Sequence, residues 1–197
     1  MNSSPYPFSG VLLAGGRSRR MGQDKRLLPV TWNGVKMPLW QRQLNVLRCL
    51  GPGELLISGP ADLAYPEDVV VVPDQIPDCG PLGGIFTCLE MAHSSFLLVL
   101  AVDLAVIDPA FLLMLIRNTH LGCGAVPIVD RQPEPMVAIY PKAAAEVTRK
   151  FLEQGIRSVR RFALELQCLG LVQSCPIAAE EQWRFRNWNT PEDVAAE

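Results

Sequence analysis

The chain has 197 residues, 49% of them hydrophobic and 19% charged, with a net charge of −2 and an isoelectric point near 5.7. That length and balance suit one domain over residues 1–197 with a substantial buried core, and they exclude a disordered polar chain. Slight acidity speaks against a nucleic-acid partner, and the longest apolar run near the middle, residues 96–102, falls far short of the ~20 residues of a membrane span.

Residues 1–7 lack the basic start and apolar core of a signal peptide, so no membrane or secretory setting is expected. Six cysteines are scattered without a C-x-x-C pair, which argues against a zinc cluster or redox couple and points to the reduced cytoplasm. His93 and His120 fall where helices are expected to end, a placement that suits solvated helix-end roles better than catalysis.

In chain order, the first element is a buried strand through Val11, Leu12 and Leu13, which breaks into Gly15, Gly16 and Gly22 with Arg17, Arg19, Arg20 and Lys25 interspersed. Glycines let backbone N–H groups approach a ligand, and the mobile cations suit a polyphosphate. The spacing is neither G-x-x-x-x-G-K-[ST] nor G-x-G-x-x-G, and on composition alone an ordinary exposed βα loop fits as well. Residues 27–36 read as a hairpin about Asn33-Gly34, followed by a helix with Pro38 in its first turn and Leu39, Leu44, Leu47 and Leu50 on one face. Residues 55–58 and 69–72 are further strand candidates.

Residues 73–85 then carry two acids, three prolines and three glycines (Asp74, Asp78; Pro73, Pro77, Pro81; Gly80, Gly83, Gly84) ahead of a helix through Ile85, Leu89 and Met91. A loop stiffened by prolines loses little entropy on binding, which favours a binding segment; a tight helix-capping turn is the alternative. Residues 96–102 form the clearest central strand, ending at Asp103, where an open α/β sheet places ligands and a carboxylate can hold a divalent metal on a phosphate. Asp108-Pro109 supplies the cap of the next helix, so Asp103 is left for another task. Strands are expected over residues 125–129, 136–140 and 168–172, with Asp130, Arg131 and Glu134 in a loop, and helices over residues 143–153 and from Ser158 to Leu166. Near the C-terminus, Thr190-Pro191-x-Asp193 reads as a helix start. Asn187 and Asn189, two apart on an extended backbone, present their amides to one side, as ligand groups or as part of an Asx turn. The alternation of strand and helix gives an α/β class with a mainly parallel sheet between helix layers.

Four stretches carry a family resemblance in one order: L-A-G-G-x-S-x-R-M-G-x-D-K at residues 13–25, the G-P-L-G-G segment with Asp74 ahead of it, Asp103 after a strand, and N-x-N-T-P at residues 187–191. The chain resembles the molybdenum cofactor guanylyltransferases, which implies a single three-layer Rossmann-like nucleotidyltransferase domain. The implied reaction moves GMP from GTP to the terminal phosphate of molybdopterin and releases pyrophosphate, with Mg²⁺ as cofactor and with transient contacts to other proteins of molybdenum cofactor biosynthesis. The resemblance also implies site roles. Leu13, Ala14, Gly15 and Gly16 line the nucleotide pocket, Arg20 and Lys25 meet the phosphates, and Asp74 with Pro81, Leu82, Gly83 and Gly84 holds the guanosine. Asp103 binds the metal, and Asn187 and Asn189 lie toward the pterin and the metal. Two departures stand out: Leu104-Ala105 replaces the family's x-Pro after the metal-bearing Asp, which implies a less rigid turn, and Glu134-Pro135 replaces a common His-Pro facing the acceptor. CMP transfer, another phosphorylated acceptor, and a nucleotide-binding module without catalysis are the alternative readings.

Overall fold

The computed structural model describes residues 6–15, 24–73, 76 and 78–188. Eight of its strands form one sheet with the path β10-β7-β9-β6-β1-β4-β5, and β8 pairs with β7 beside that path. In chain order these are β1 (Phe8–Leu13), β4 (Glu54–Ser58), β5 (Val69–Val72), β6 (Phe96–Ala101), β7 (Gly124–Val129), β8 (Gln132–Pro133), β9 (Val137–Pro141) and β10 (Val172–Pro176). β1 lies at the centre and runs parallel to both β4 and β6, while β9 is antiparallel to β6 and β7. The expected mainly parallel α/β sheet is thus present, with β9 reversed.

The two faces are covered by different helices. Leu12 of β1 and Leu98 and Leu100 of β6 face a core built with α1 (Leu39–Arg48) and α3 (Pro109–Arg117). Val11, Leu13, Leu97 and Val99 face the opposite core, built with α2 (Gly80–Met91), α4 (Ala144–Glu153) and α5 (Val159–Cys168). This alternation is the two-residue period of a strand buried on both sides, and it yields the three-layer arrangement.

Several local expectations hold. Asn33-Gly34 turns a hairpin of β2 (Pro29–Trp32) and β3 (Val35–Pro38), although Pro38 closes β3 and only flanks α1. Asp108 Oδ1 accepts from Phe111 N at 2.8 Å and Pro109 opens α3, and Ser158 caps α5 through Arg161 N at 3.3 Å. His93 and His120 follow α2 and α3; Glu54 holds the former at 2.9 Å, and Gln173 meets the latter at 3.1 Å.

Three expectations are corrected. No strand spans residues 168–172: α5 continues to Cys168, the chain turns at Leu169 and Gly170, and β10 begins only at Val172, so most of the run is the helix end and the turn that joins it to the strand. Residues 130–134 are a second hairpin, with Asp130 and Arg131 at φ 47° and 63° turning β7 into β8, a turn that two non-glycine residues do not announce. The proline-rich stretch also becomes helical earlier than expected, since α2 already starts at Gly80. The Thr190-Pro191 helix start lies outside the described residues.

Candidate active site

The strand order reverses direction at β1: the chain moves from β1 to β4 and β5 on one side, then crosses to β6 on the other. Open α/β sheets bind ligands at the carboxyl ends of the strands flanking such a point. Here those ends are tied together. Val102 N donates to Leu13 O at 3.1 Å, and Ala14 N donates to Ser58 O at 2.8 Å. Leu13 and Ala14 are buried, whereas Gly15 is exposed. Their side chains therefore face the core, and the chain reaches the surface at Gly15. Gly16 and Arg20 lie outside the described residues.

Chain returning from that loop forms a short 3-10 turn over Lys25–Leu27 capped by Asp24. It delivers Lys25 to Asp103: Nζ and Oδ2 are 2.6 Å apart, with the two side chains 23% and 21% exposed. Two expected site residues, 78 positions apart, are thereby brought into contact. Asp103 lies in the turn two residues past β6 rather than closing the strand. That turn is braced from below. Gln43 on α1, fully buried, donates through Nε2 to Ala101 O at 3.2 Å and Leu104 O at 2.9 Å, and Arg42 Nη1 donates to Ile107 O at 2.7 Å. The looser turn expected from Leu104-Ala105 is therefore corrected: Gln43 supplies the restraint that a proline would supply, and both residues are buried.

The C-terminal segment closes the far side. After a 3-10 stretch (Ala179–Phe185), pinned by Arg184 Nη1 to Asp108 Oδ2 at 2.5 Å and by Phe185 edge-on to Phe111 at 5.3 Å, Trp188 N donates to Asp103 O at 2.9 Å. Asn187 is exposed one residue before that contact. Asn189, like Asp74, lies outside the described residues. Glu134 stands on the β8 to β9 connection, with its N–H on Pro127 O at 2.8 Å. Burial pushes its carboxyl above the usual range, Met136 N–H and Arg160 draw it back, and the charge of Asp103 pushes it up again.

The segment expected to hold the guanosine has a different local structure from the stiff loop read in the sequence. Pro81 is exposed, but Leu82, Gly83 and Gly84 are buried in the first turns of α2, and Leu82 packs in the core. The Gly83 carbonyl accepts from Thr87 Oγ1 at 3.1 Å, so it is not waiting for a base. A Cβ on Gly83 would come within 2.8 Å of the Cys79 Cβ, so this glycine makes room for its own helix start. What the first turn of a helix leaves free is its N–H groups.

Four contributors were missed in the sequence: Gln43, Gly59, Trp188 and the Arg26 pairings. Gln43 had a readable signal, a polar residue four after Leu39 and four before Leu47 on the apolar face of α1. A Cβ on Gly59 would stand 3.0 Å from Ala14 C and Gly15 N, so only glycine lets the β4 to β5 connection pack under the first loop. No linear pattern announces that.

The sequence profile of the MobA-like NTP transferase domain matches residues 10–168. The chain belongs to this family. Among members of the MobA-like family, a probable molybdenum cofactor guanylyltransferase of Opitutus terrae is 36% identical, over 98% of this chain and 96% of that protein. A molybdenum cofactor guanylyltransferase of Xanthomonas euvesicatoria pv. vesicatoria is 34% identical, over 94% and 92%. Among solved structures, molybdopterin-guanine dinucleotide biosynthesis protein A of Archaeoglobus fulgidus superposes with a TM-score of 0.70 at 25% identity, over 95% of each chain. As a MobA-like NTP transferase the protein is an enzyme of the nucleotidyltransferase type, and its three-layer sheet is the Rossmann-like fold of that group.

Proposed function

We propose that this protein is a molybdenum cofactor guanylyltransferase: it transfers GMP from GTP to the terminal phosphate of molybdopterin and releases pyrophosphate. The observation that carries the reading is the Lys25–Asp103 pair at the reversal point of the sheet, in a chain alignable end to end with guanylyltransferases. An acceptor phosphate oxygen is already a nucleophile. It attacks the α-phosphorus, the bond to the bridging oxygen of the β-phosphate breaks, and pyrophosphate leaves with that electron pair. No catalytic base is required, and the two histidines are bonded elsewhere, to Glu54 and Gln173.

The donor set suits a magnesium ion. Asp103, 21% exposed at the carboxyl end of β6, meets Lys25 through Oδ2. Mg²⁺ characteristically takes one or two carboxylates and fills its remaining positions with phosphate oxygens and water. When bound, it neutralises charge on the α-phosphate and the leaving group. Asp103 would hold it, and Lys25 and Arg20 would take the β- and γ-phosphates. The backbone of Leu13, Ala14, Gly15 and Gly16 would line the nucleotide pocket. Asp74 with the Pro81, Leu82, Gly83 and Gly84 turn would recognise the guanosine through N–H groups and the carboxylate, and Asn187 and Asn189 would lie toward the pterin and the metal.

We further place the enzyme in the cytoplasm as one functional domain over residues 1–197, meeting other molybdenum cofactor proteins transiently. In support, β10, beyond the residues the profile matches, pairs with β7 in the same sheet. Among the described residues no helix is long and apolar enough to cross a membrane. Retention of Lys25 and Asp103 in contact speaks against a binding module without catalysis. Turnover with GTP, CTP and ATP in the presence of molybdopterin tests the assignment. GTP is expected to exceed CTP by about tenfold or more in kcat/KM, since a cytosine leaves buried donors and acceptors unpaired at ~1–3 kcal/mol each. A higher kcat/KM for CTP would turn the assignment to cytidylyl transfer.

A further inference from the structure

Among the described residues, Arg26 is a charged side chain buried in the fold. Its side chain is 10% exposed, and its guanidinium grips two carboxylates from different parts of the chain. Nε and Nη2 donate to Asp24 at 2.6–3.0 Å, Nη1 and Nη2 donate to Asp62 at 2.7 and 2.8 Å, and the Tyr65 hydroxyl lies 3.4 Å from Nη1. Tyr65 is itself held edge-on against Trp40 of α1 at 5.0 Å. Burying a guanidinium between carboxylates is a poor way to gain stability, because an apolar side chain of similar volume often does as well. Such a cluster does fix orientation.

What it orients is visible in the order of residues. Asp24 and Arg26 are the two sequence neighbours of Lys25, and both are locked into one ion pair, whose backbone counterpart is the 3.0 Å bond from Arg26 N to Asp24 Oδ1. Asp62 anchors that unit to the β4 to β5 connection. Gly59, three residues earlier in the same connection, lies under the Ala14–Gly15 peptide. One short segment, residues 59–62, thus contacts the chain just before and just after the glycine-rich loop.

We propose that Arg26 and Asp62 are positioning residues for Lys25: the Asp24–Arg26–Asp62 cluster sets where the Lys25 ammonium stands relative to Asp103 and the phosphates. The inference rests on the reading of Lys25 as a phosphate-binding residue. It predicts that Asp62, half exposed at the rim, affects catalysis without touching substrate. The test is a double-mutant cycle on the full chain, measuring kcat/KM for GTP with molybdopterin and, separately, Tm. Asp62→Asn is expected to lower kcat/KM about fivefold or more when Lys25 is present, and by less than about twofold in the Lys25→Ala background, with the same Tm change in both. Asp62→Glu, which keeps the charge, should recover part of the loss. Arg26→Gln should repeat the pattern, and if it fails to fold, Asp62→Asn alone decides. Equal losses in both backgrounds, or no loss with Lys25 present, would overturn the positioning role and leave the Lys25 reading standing. Should Lys25→Ala by itself stay within about threefold of the parent, the phosphate role of Lys25 fails, and the inference with it.

Discussion

Asp103 carries three loads at once: its carboxylate meets Lys25, its carbonyl receives Trp188, and its turn is braced by Gln43. Asp103→Asn keeps the shape and removes the charge, so kcat/KM should fall about 10²-fold or more, a loss of ~3 kcal/mol of transition-state stabilisation, while metal-free GTP binding changes little. A variant within about threefold of the parent would remove Asp103 from the metal. Glu134 behaves differently, because burial first and the charge of Asp103 raise its folded pKa. The ionised carboxylate is then a burden above that raised pKa, one that is relieved as pH falls toward the unfolded value. Glu134→Gln should therefore raise Tm at pH 8, by about 2 °C for each ~1 kcal/mol of strain removed, and change it little near pH 4. Equal shifts at both pH values would show that the cause is not charge.

At the level of the element, α2 shows where sequence reading succeeds and where it stops. Its position after β5 and the apolar residues Ile85 and Leu89 were legible, because each depends on neighbours along the chain, whereas Pro81 was read as part of the loop and lies in the first turn. The role of Gly83 was not, because the atom it avoids is the Cβ of Cys79 and the contact exists only once the helix start is folded. Gly83→Ala is accordingly expected to destabilise the nucleotide-free protein by about 1–3 kcal/mol, visible as a lower urea midpoint at unchanged slope. An unchanged midpoint together with lost GTP use would restore the glycine to the base pocket. The same division runs through the site. β1, β6 and Asp103 could be placed from apolar runs and the residue that ends them, whereas Gly59 under the Ala14–Gly15 peptide and the Arg26–Asp62 contact are products of topology. The hairpin at Asp130 and Arg131 escaped for a third reason, since non-glycine residues there take positive φ without a compositional mark.

For the molecule as a whole, hydrogen-bonded carboxylates at three separate places set the acid limit. Hydrogen bonds from Arg26 hold Asp24 low; at Glu54 and Asp108, burial pushes upward, but Ser9 and His93 at the first, and Phe111 N–H and Arg184 at the second, outweigh it. Each folded pKa is depressed, so each contribution is fully present above the unfolded value near 4 and is lost as pH falls through the lower folded value. Glu134 pulls the other way, but it stands against four lowered carboxylates, Asp62 beside Asp24 included. Stability to urea should therefore be flat from about pH 7 to 5 and fall below about pH 4; a midpoint that held or rose between pH 5 and 3 would contradict the assignment of these pairs.

The bond from Trp188 to the carbonyl of Asp103 also has a meaning in time. Ribosomes deliver the chain at about 5–20 residues per second, so the residues of β1 and β6 have all been made seconds before residue 188. During that interval a nascent chain owns the carboxylate and its lysine without the strand of backbone that closes over them. A chain stalled or cut between residues 168 and 188 would keep the whole stretch that identifies its family and still lack the closing contact at the carboxylate.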